Sequence, residues 1–134
     1  MIILREYKEN DLEDIKDILS KENVMDFNLD GIIYVLLEDN KILGVGKTSL
    51  EKDKYFLKYL IIKEEERRNG LGDGLIRAIL YKLQNNNIDK LYFKGNNKFL
   101  LSKGFKNEIK NEFYLDIDSF FNSGCNCSGA CNGV

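Results

Sequence analysis

Residues Glu64 to Leu80, EEERRNGLGDGLIRAIL, place two arginines and three glycines directly ahead of an apolar run. Glycine loses the most backbone freedom on ordering, so glycines this close together mark a backbone that bends sharply or approaches something closely. Leu75, Ile76, Ile79, Leu80 and Leu83 then recur at helical spacing, so the glycines open a helix. The first amides of a helix lack intrahelical partners and lie at the positive end of its dipole. With Arg67 and Arg68 beside them they suit an anion, above all a phosphate ester lying against bare backbone. The plain alternative is a glycine-rich helix start that binds nothing.

Two better-known phosphate loops do not fit. GVGKTS, Gly44 to Ser49, ends like a Walker A loop, but the position that should hold its first glycine is Lys41. The residues after it form a charged turn and another apolar strand, where that loop needs a helix. GVGKTS therefore reads as a strand inside a sheet. GLGDGL has Gly70 and Gly72 in place for the dinucleotide fingerprint, but Leu75 stands where the third glycine belongs.

The elements around these glycines follow from periodicity. Ile2 to Tyr7 reads as a strand, and Leu12, Ile15, Ile18 and Leu19 mark an amphipathic helix with Asn10 or Asp11 as its cap. Residues 23–29, NVMDFNL, leave a short helix or a loop open. Strands follow at Ile32–Glu38, Lys41–Ser49 and Lys54–Lys63, separated by EDNK and EKDK turns too short for a parallel crossover, so they form an antiparallel meander. Strict alternation on the third puts Tyr55, Leu57, Tyr59 and Ile61 on one face and Phe56, Lys58, Leu60 and Ile62 on the other. After the glycine-rich helix come a strand from Ile88 to Gly95, a short helix ending at Gly104, and a last strand from Asn111 to Ile117. The fold class is mixed α/β with a mostly antiparallel central sheet and flanking helices.

A chain of 134 residues is one domain's worth. A net charge of -2, with Lys and Arg spread evenly, gives no electrostatic case for nucleic acid or membrane binding. No apolar stretch approaches a bilayer span, and the N-terminus turns charged too early for a signal peptide, so the expected location is the cytoplasm. The chain has no His, which removes the commonest general base and metal ligand. Acid–base chemistry falls to Glu, Asp, Tyr, Lys, Cys or water.

Arg67-x-x-Gly70-x-Gly72 after an apolar strand and before Leu75 resembles motif A of the GNAT superfamily of acetyl-CoA-dependent N-acetyltransferases. The first strand and helix, the hairpins, and SKGF before the last strand fit as well, so the resemblance covers residues 1–118. It implies a GNAT-like sheet in which the strand Lys54–Lys63 splays from the strand at Ile88–Lys94, with acetyl-pantetheine in the gap. The pantetheine would pair with main chain at Leu60, Ile61 and Ile62. The pyrophosphate would rest on amides around Leu71, Gly72, Asp73 and Gly74, with Arg67, Arg68, Asn69 and Gly70 at the rim and Asn96 and Asn97 facing the cofactor from the next helix. Asn97 or Asn96 as a helix cap is the simpler reading of those two. The implied activity is transfer of acetyl to a primary amine of a small molecule, amino acid or peptide.

The catalytic groups depart from the family pattern. Members often carry a Tyr four residues before a Gly-Phe pair, where it protonates the leaving thiolate; here the pair is Gly104-Phe105 and the position holds Leu100. Ser102 and Tyr59 are the remaining candidates, with a buried aromatic the simpler reading of Tyr59. No acid lies within Phe56 to Ile62 to serve as base. A non-catalytic CoA-binding or sensor domain is therefore the rival reading.

Residues 119–134 are set apart as a Gly/Ser/Cys-rich tail. Cys125, Cys127 and Cys131 offer three thiols to a soft metal, one ligand short of a closed zinc site. A free tail and a thiol- or metal-binding tail both remain open.

Overall fold

Apolar strands broken by turn residues, together with two amphipathic helices, can bury their faces only as a sheet covered on both sides. The computed structural model describes residues 1–67 and 69–126, with side chains to residue 122. Arg68, Cys127, Cys131 and the Cys125 side chain lie outside the described residues, and so does the expectation of a thiol site.

The elements are β1 (Ile2–Glu6), α1 (Leu12–Lys21), β2 (Ile32–Glu38), β3 (Lys41–Glu51), β4 (Lys54–Ile62), α2 (Leu71–Asn85), β5 (Lys90–Lys94), α3 (Lys98–Ser102), β6 (Lys106–Ile109), β7 (Glu112–Asp116) and α4 (Ile117–Asn126). They build one seven-stranded sheet in the order β1-β2-β3-β4-β5-β7-β6. Every neighbouring pair is antiparallel except β4 and β5, which are parallel and register only at Phe56↔Tyr92. Beyond that pair the two strands separate, as the resemblance implied. Among the described residues no helix is long and apolar enough to cross a membrane.

The core is split by the sheet. On one face α2 buries Leu75, Ile76, Ile79, Leu80 and Leu83 against Leu36, Leu57, Leu91, Phe93 and Leu115. On the other, α1 buries Ile15, Ile18 and Leu19 against Ile33, Val35, Val45, Tyr59 and Ile61. GVGKTS lies within β3, as expected of a strand. Gly46 makes room for α2, since a Cβ there would stand 2.7 Å from Ile79 Cδ1; a Cβ at Gly44 would stand 2.5 Å from Ile62 Cδ1 of the neighbouring β4 and 3.6 Å from Leu75 Cδ2 of α2.

Strict alternation fails on β4. Lys47 pairs with Tyr59 but Thr48 pairs with Leu57, so Lys58 is the extra residue of a β-bulge. Tyr55, Leu57, Leu60 and Ile62 therefore share the α2 face, while Tyr59 and Ile61 join the α1 face. The hydrophobic pattern carries no mark of the bulge, because both faces of β4 are apolar.

Two elements go beyond the sequence reading. β6 is a short, fully exposed edge strand whose polar KNEI shows no alternation. The last strand ends at Asp116 rather than Ile117, and α4 crosses the boundary drawn at residue 118. The Asp116 carboxylate accepts the Ser119 N–H at 3.0 Å, which caps this helix. Ile117 is fully buried, and Phe120 and Phe121 pack against the α2-side core. Residues 23–30 form no regular element.

Gly46→Val forces a branched side chain between Ile79 and Leu60. It is expected to lower unfolding free energy by about 1–3 kcal/mol, read from the urea midpoint at unchanged m-value.

Candidate functional site

The loop between β4 and α2 is shaped by Arg67. After a single 3-10 turn at Glu64–Glu66, the Arg67 Nε donates to the Ile62 carbonyl at 2.9 Å. Its guanidinium pairs with Glu22 at the end of α1, at 3.0 Å. The expected rim charge thus ties the loop to β4 and α1 while still lining the cleft.

Gly70 follows at φ +75°, a left-handed conformation that glycine adopts without penalty, and the first turn of α2 closes on it through Gly74 N–H to Gly70 C=O at 3.3 Å. The three glycines differ in role. Gly70 sets the turn, and a Cβ there would meet nothing within 4 Å. Gly72 leaves bare backbone facing Phe99, whose ring would be 3.4 Å from a Cβ. Gly74 lies against Leu4 of β1, with 3.8 Å between a Cβ and Leu4 Cδ1.

These residues border a cleft of about 730 Å³ between β4, the N-terminus of α2, and α3. Of the residues expected at a cofactor, Leu60, Ile62, Arg67, Gly70, Leu71, Gly72, Asp73 and Asn97 line it. Ile61 turns its side chain into the α1-side core, Asn69 is exposed with its amide on the Glu66 carbonyl, and Asn96 is exposed outside the cleft. Asn97 also caps α3, its Oδ1 accepting the Leu100 N–H at 3.1 Å.

Sequence reasoning missed Glu66, Phe99 and Lys103, which also line the cleft. Phe99 and Lys103 are one helical turn apart, and that spacing was the available signal. The Lys103 ammonium stands over the Phe99 ring at 5.1 Å and pairs with Asp73, which also takes Arg77 at 2.7 Å. Burial pushes the Asp73 carboxyl upward, but the bonds from Lys103 and Arg77 outweigh it and hold the group below its ordinary value. The clasp joins α2 to α3 and neutralises an acid beside bare amides.

The catalytic candidates are scattered. Leu100 points into the α2-side core, so the residue of α3 that faces the cleft is Phe99. The exposed Ser102 hydroxyl donates to the Phe99 carbonyl at 2.6 Å and does not line the cleft. Tyr59 sits on the opposite face, where burial, aided by Asp26 and Asp30, pushes its phenol well above the usual range. It is a neutral phenol, a hydrogen-bond donor and not a base.

That opposite face has its own polar centre. Lys47, from GVGKTS, is buried yet ion-paired with Asp26 at 3.0 Å and Asp30 at 2.9 Å, and donates to the Asn28 carbonyl at 3.1 Å. One ammonium thereby pins the loop between α1 and β2, whose sequence had been uninformative.

Residues 30–114 match the family model of an acetyltransferase (GNAT) domain. No curated protein sequence matches the chain. Solved structures share its fold. The ribosomal-protein-S18-alanine N-acetyltransferase of Escherichia coli aligns at 17% identity over 87% of this chain and 94% of its own, with a TM-score of 0.71. A GNAT family acetyltransferase of Brucella melitensis in complex with acetyl-CoA aligns at 18% over 87% and 88%, with a TM-score of 0.68. The PaiA N-acetyltransferase of Thermoplasma acidophilum in complex with coenzyme A aligns at 15% over 85% and 96%, also at 0.68.

Gly70→Ala has space for its methyl but not the backbone angle, and is expected to cost about 1–2 kcal/mol. Asp73 contributes stability that is fully present above the ordinary carboxylate range, because its folded pKa is depressed, and that is lost as pH falls through that lower value. Asp73→Asn should lower Tm at neutral pH, with the difference from wild type closing only as pH falls below the ordinary carboxylate range.

Proposed function

Because its sequence fits that family model over most of its length, the chain belongs to the GNAT acetyltransferase family, and we propose that it moves an acetyl group from acetyl-CoA to a primary amine by direct transfer. The observation that carries this reading is the parallel pair β4 and β5, joined only at Phe56↔Tyr92, with the α2 N-terminus and the cleft at the open end of the gap. Bare backbone at Gly72 and space at Gly70 suit a pyrophosphate against the first amides of α2. Leu71, Asp73 and Gly74 contribute to the same turn, and Arg67 lines its rim. Lys103 and Arg77 cancel the Asp73 charge that would otherwise repel a phosphate.

The β4 edge at Leu60 and Ile62 faces the gap, with the Ile62 carbonyl already accepting the Arg67 Nε, and a pantetheine arm would pair along this edge. Asn97 and Phe99 face that arm from α3. Acetyl-CoA supplies a thioester activated for attack by an amine. The chain's own part is to hold the thioester and the amine together, which is worth about 7–11 kcal/mol when the two are well aligned.

A second reading is a CoA-binding domain without turnover. It is favoured by one observation: among the described residues lining the cleft there is no phenol, and Leu100 is core.

Calorimetry should show acetyl-CoA binding, and Gly72→Glu should abolish it at unchanged Tm. The added side chain has room but brings a negative charge to the phosphate position. Unchanged affinity would refute the phosphate assignment. Wild-type turnover should be slow. Phe99→Tyr, which puts a hydroxyl into the cleft, should raise kcat, while Leu100→Tyr should only destabilise, by about 1–3 kcal/mol. Binding with no turnover toward any amine would establish the second reading.

A further inference from the structure

On the α1 face of the sheet, charged side chains bridge β4 and β5 just beyond their one registered pair. Beyond Phe56↔Tyr92, the next residues presented on this face are Lys58, at the bulge of β4, and Lys94, at the end of β5. Both reach Glu51 at the end of β3. Lys58 Nζ lies 2.5 Å from Glu51 Oε2, and Lys94 Nζ lies 2.9 Å from Oε1. One carboxylate thus carries an ammonium on each oxygen, supplied by the two strands that diverge. Both ammoniums also stand over the Phe56 ring, at 5.7 and 4.8 Å.

This arrangement is sized for a carboxylate, and Glu51 holds it loosely. All three side chains are about a third exposed or more, and exposed ion pairs contribute little to stability. Glu51 sits beside the turn at Lys52 and Asp53. Asp26 and Asp30 are engaged on Lys47, and Glu108 and Glu112 on Lys54.

We propose that Lys58 and Lys94 form a carboxylate subsite for the acceptor, filled by Glu51 until the acceptor arrives, so that the chain acts on primary amines that also carry a carboxylate, as amino acids and peptides do. The proposal rests on the acetyl-transfer reading. An amine tethered to a carboxylate held by these two ammoniums would approach β4 and β5 from the sheet face opposite the cleft. The Glu51 carboxyl is held down to about 2, first by the Lys58 bond and then by Lys94.

The test compares glycylglycine with glycylglycinamide, which offers the same amine without the carboxylate, by following loss of the thioester absorbance of acetyl-CoA. Glycylglycine should have the higher kcat/KM, by about tenfold, the equivalent of one charge-assisted contact. Lys94→Gln should bring the two acceptors to parity, mainly through KM, with acetyl-CoA affinity unchanged. Glu51→Gln should raise kcat/KM for glycylglycine more than for the amide. Equal use of both acceptors by wild type, or an equal loss for both in Lys94→Gln, would overturn the subsite. If no amine is acetylated, calorimetric titration of glycylglycine into the protein, with and without CoA, decides the matter separately. Binding that Lys94→Gln weakens about tenfold supports the subsite without the reaction, and no binding overturns it. Failure to bind acetyl-CoA would instead count against the transfer reading.

Discussion

Two parallel strands that meet at one residue pair govern the rest of this molecule. β4 is held by β3 along its length, and β5 is held by β7 from Lys90↔Asp116 to Lys94↔Glu112. Between them only Phe56 and Tyr92 register. Aromatic packing reinforces the division. Phe93 lies between Phe105 and Phe113, at 5.0 and 5.1 Å, and binds β5 to the C-terminal strands. On the other face Phe56, Tyr92 and Tyr114 run as a ladder at 5.6 and 6.2 Å across the one registered pair. The bulge at Lys58 comes immediately after that point. A bulge adds local twist, so β4 turns away from β5 where the ladder ends.

A gap in a sheet costs main-chain hydrogen bonds unless something else meets the exposed groups. α2 cannot, because its own backbone is satisfied except at its first turn. It is instead set down hard on β3, over Gly44 and Gly46, so that its free amides arrive at the open end of the gap. Arg67, on Ile62 and Glu22, fixes the loop that delivers it, and the Asp73–Lys103 pair fixes α3 across the opening. The unsatisfied edge of β4 and the unsatisfied end of α2 therefore border one cleft.

The sequence made α2 and its glycines legible, because helical periodicity and left-handed or bare-backbone positions leave marks in residue type. The strands of the meander were legible to within a residue or two at their ends for the same reason. The bulge was not, since Tyr55 to Ile62 is apolar on both faces but for Lys58. Nor was α4, because FFNSG looks like a breaker until Asp116 is seen to cap it. Counting back from Gly104 pointed to Leu100, but a short helix capped by Asn97 turns Leu100 inward and Phe99 toward the cleft. Lys47 was hidden inside a strand that looked like a nucleotide loop. Its partners lie in a segment with no periodicity, and only the fold brings them together.

These features bear on how a reaction would run here. The chain has no His, the one phenol on β4 beside the bulge is kept protonated, Asp73 in the cleft is paired with Lys103 and Arg77, and Glu51 on the α1 face is paired with Lys58 and Lys94. Few groups are left poised to exchange protons near neutral pH. What the fold supplies in abundance is fixed geometry: a rigid helix end, a strand edge, two ion-pair clasps between elements and a pinned loop. A site built this way favours reactions limited by bringing two reactants together over those limited by proton transfer. Transfer from a thioester to an amine already deprotonated by solvent is of that kind, and for it the order of the strands matters more than any single titratable side chain.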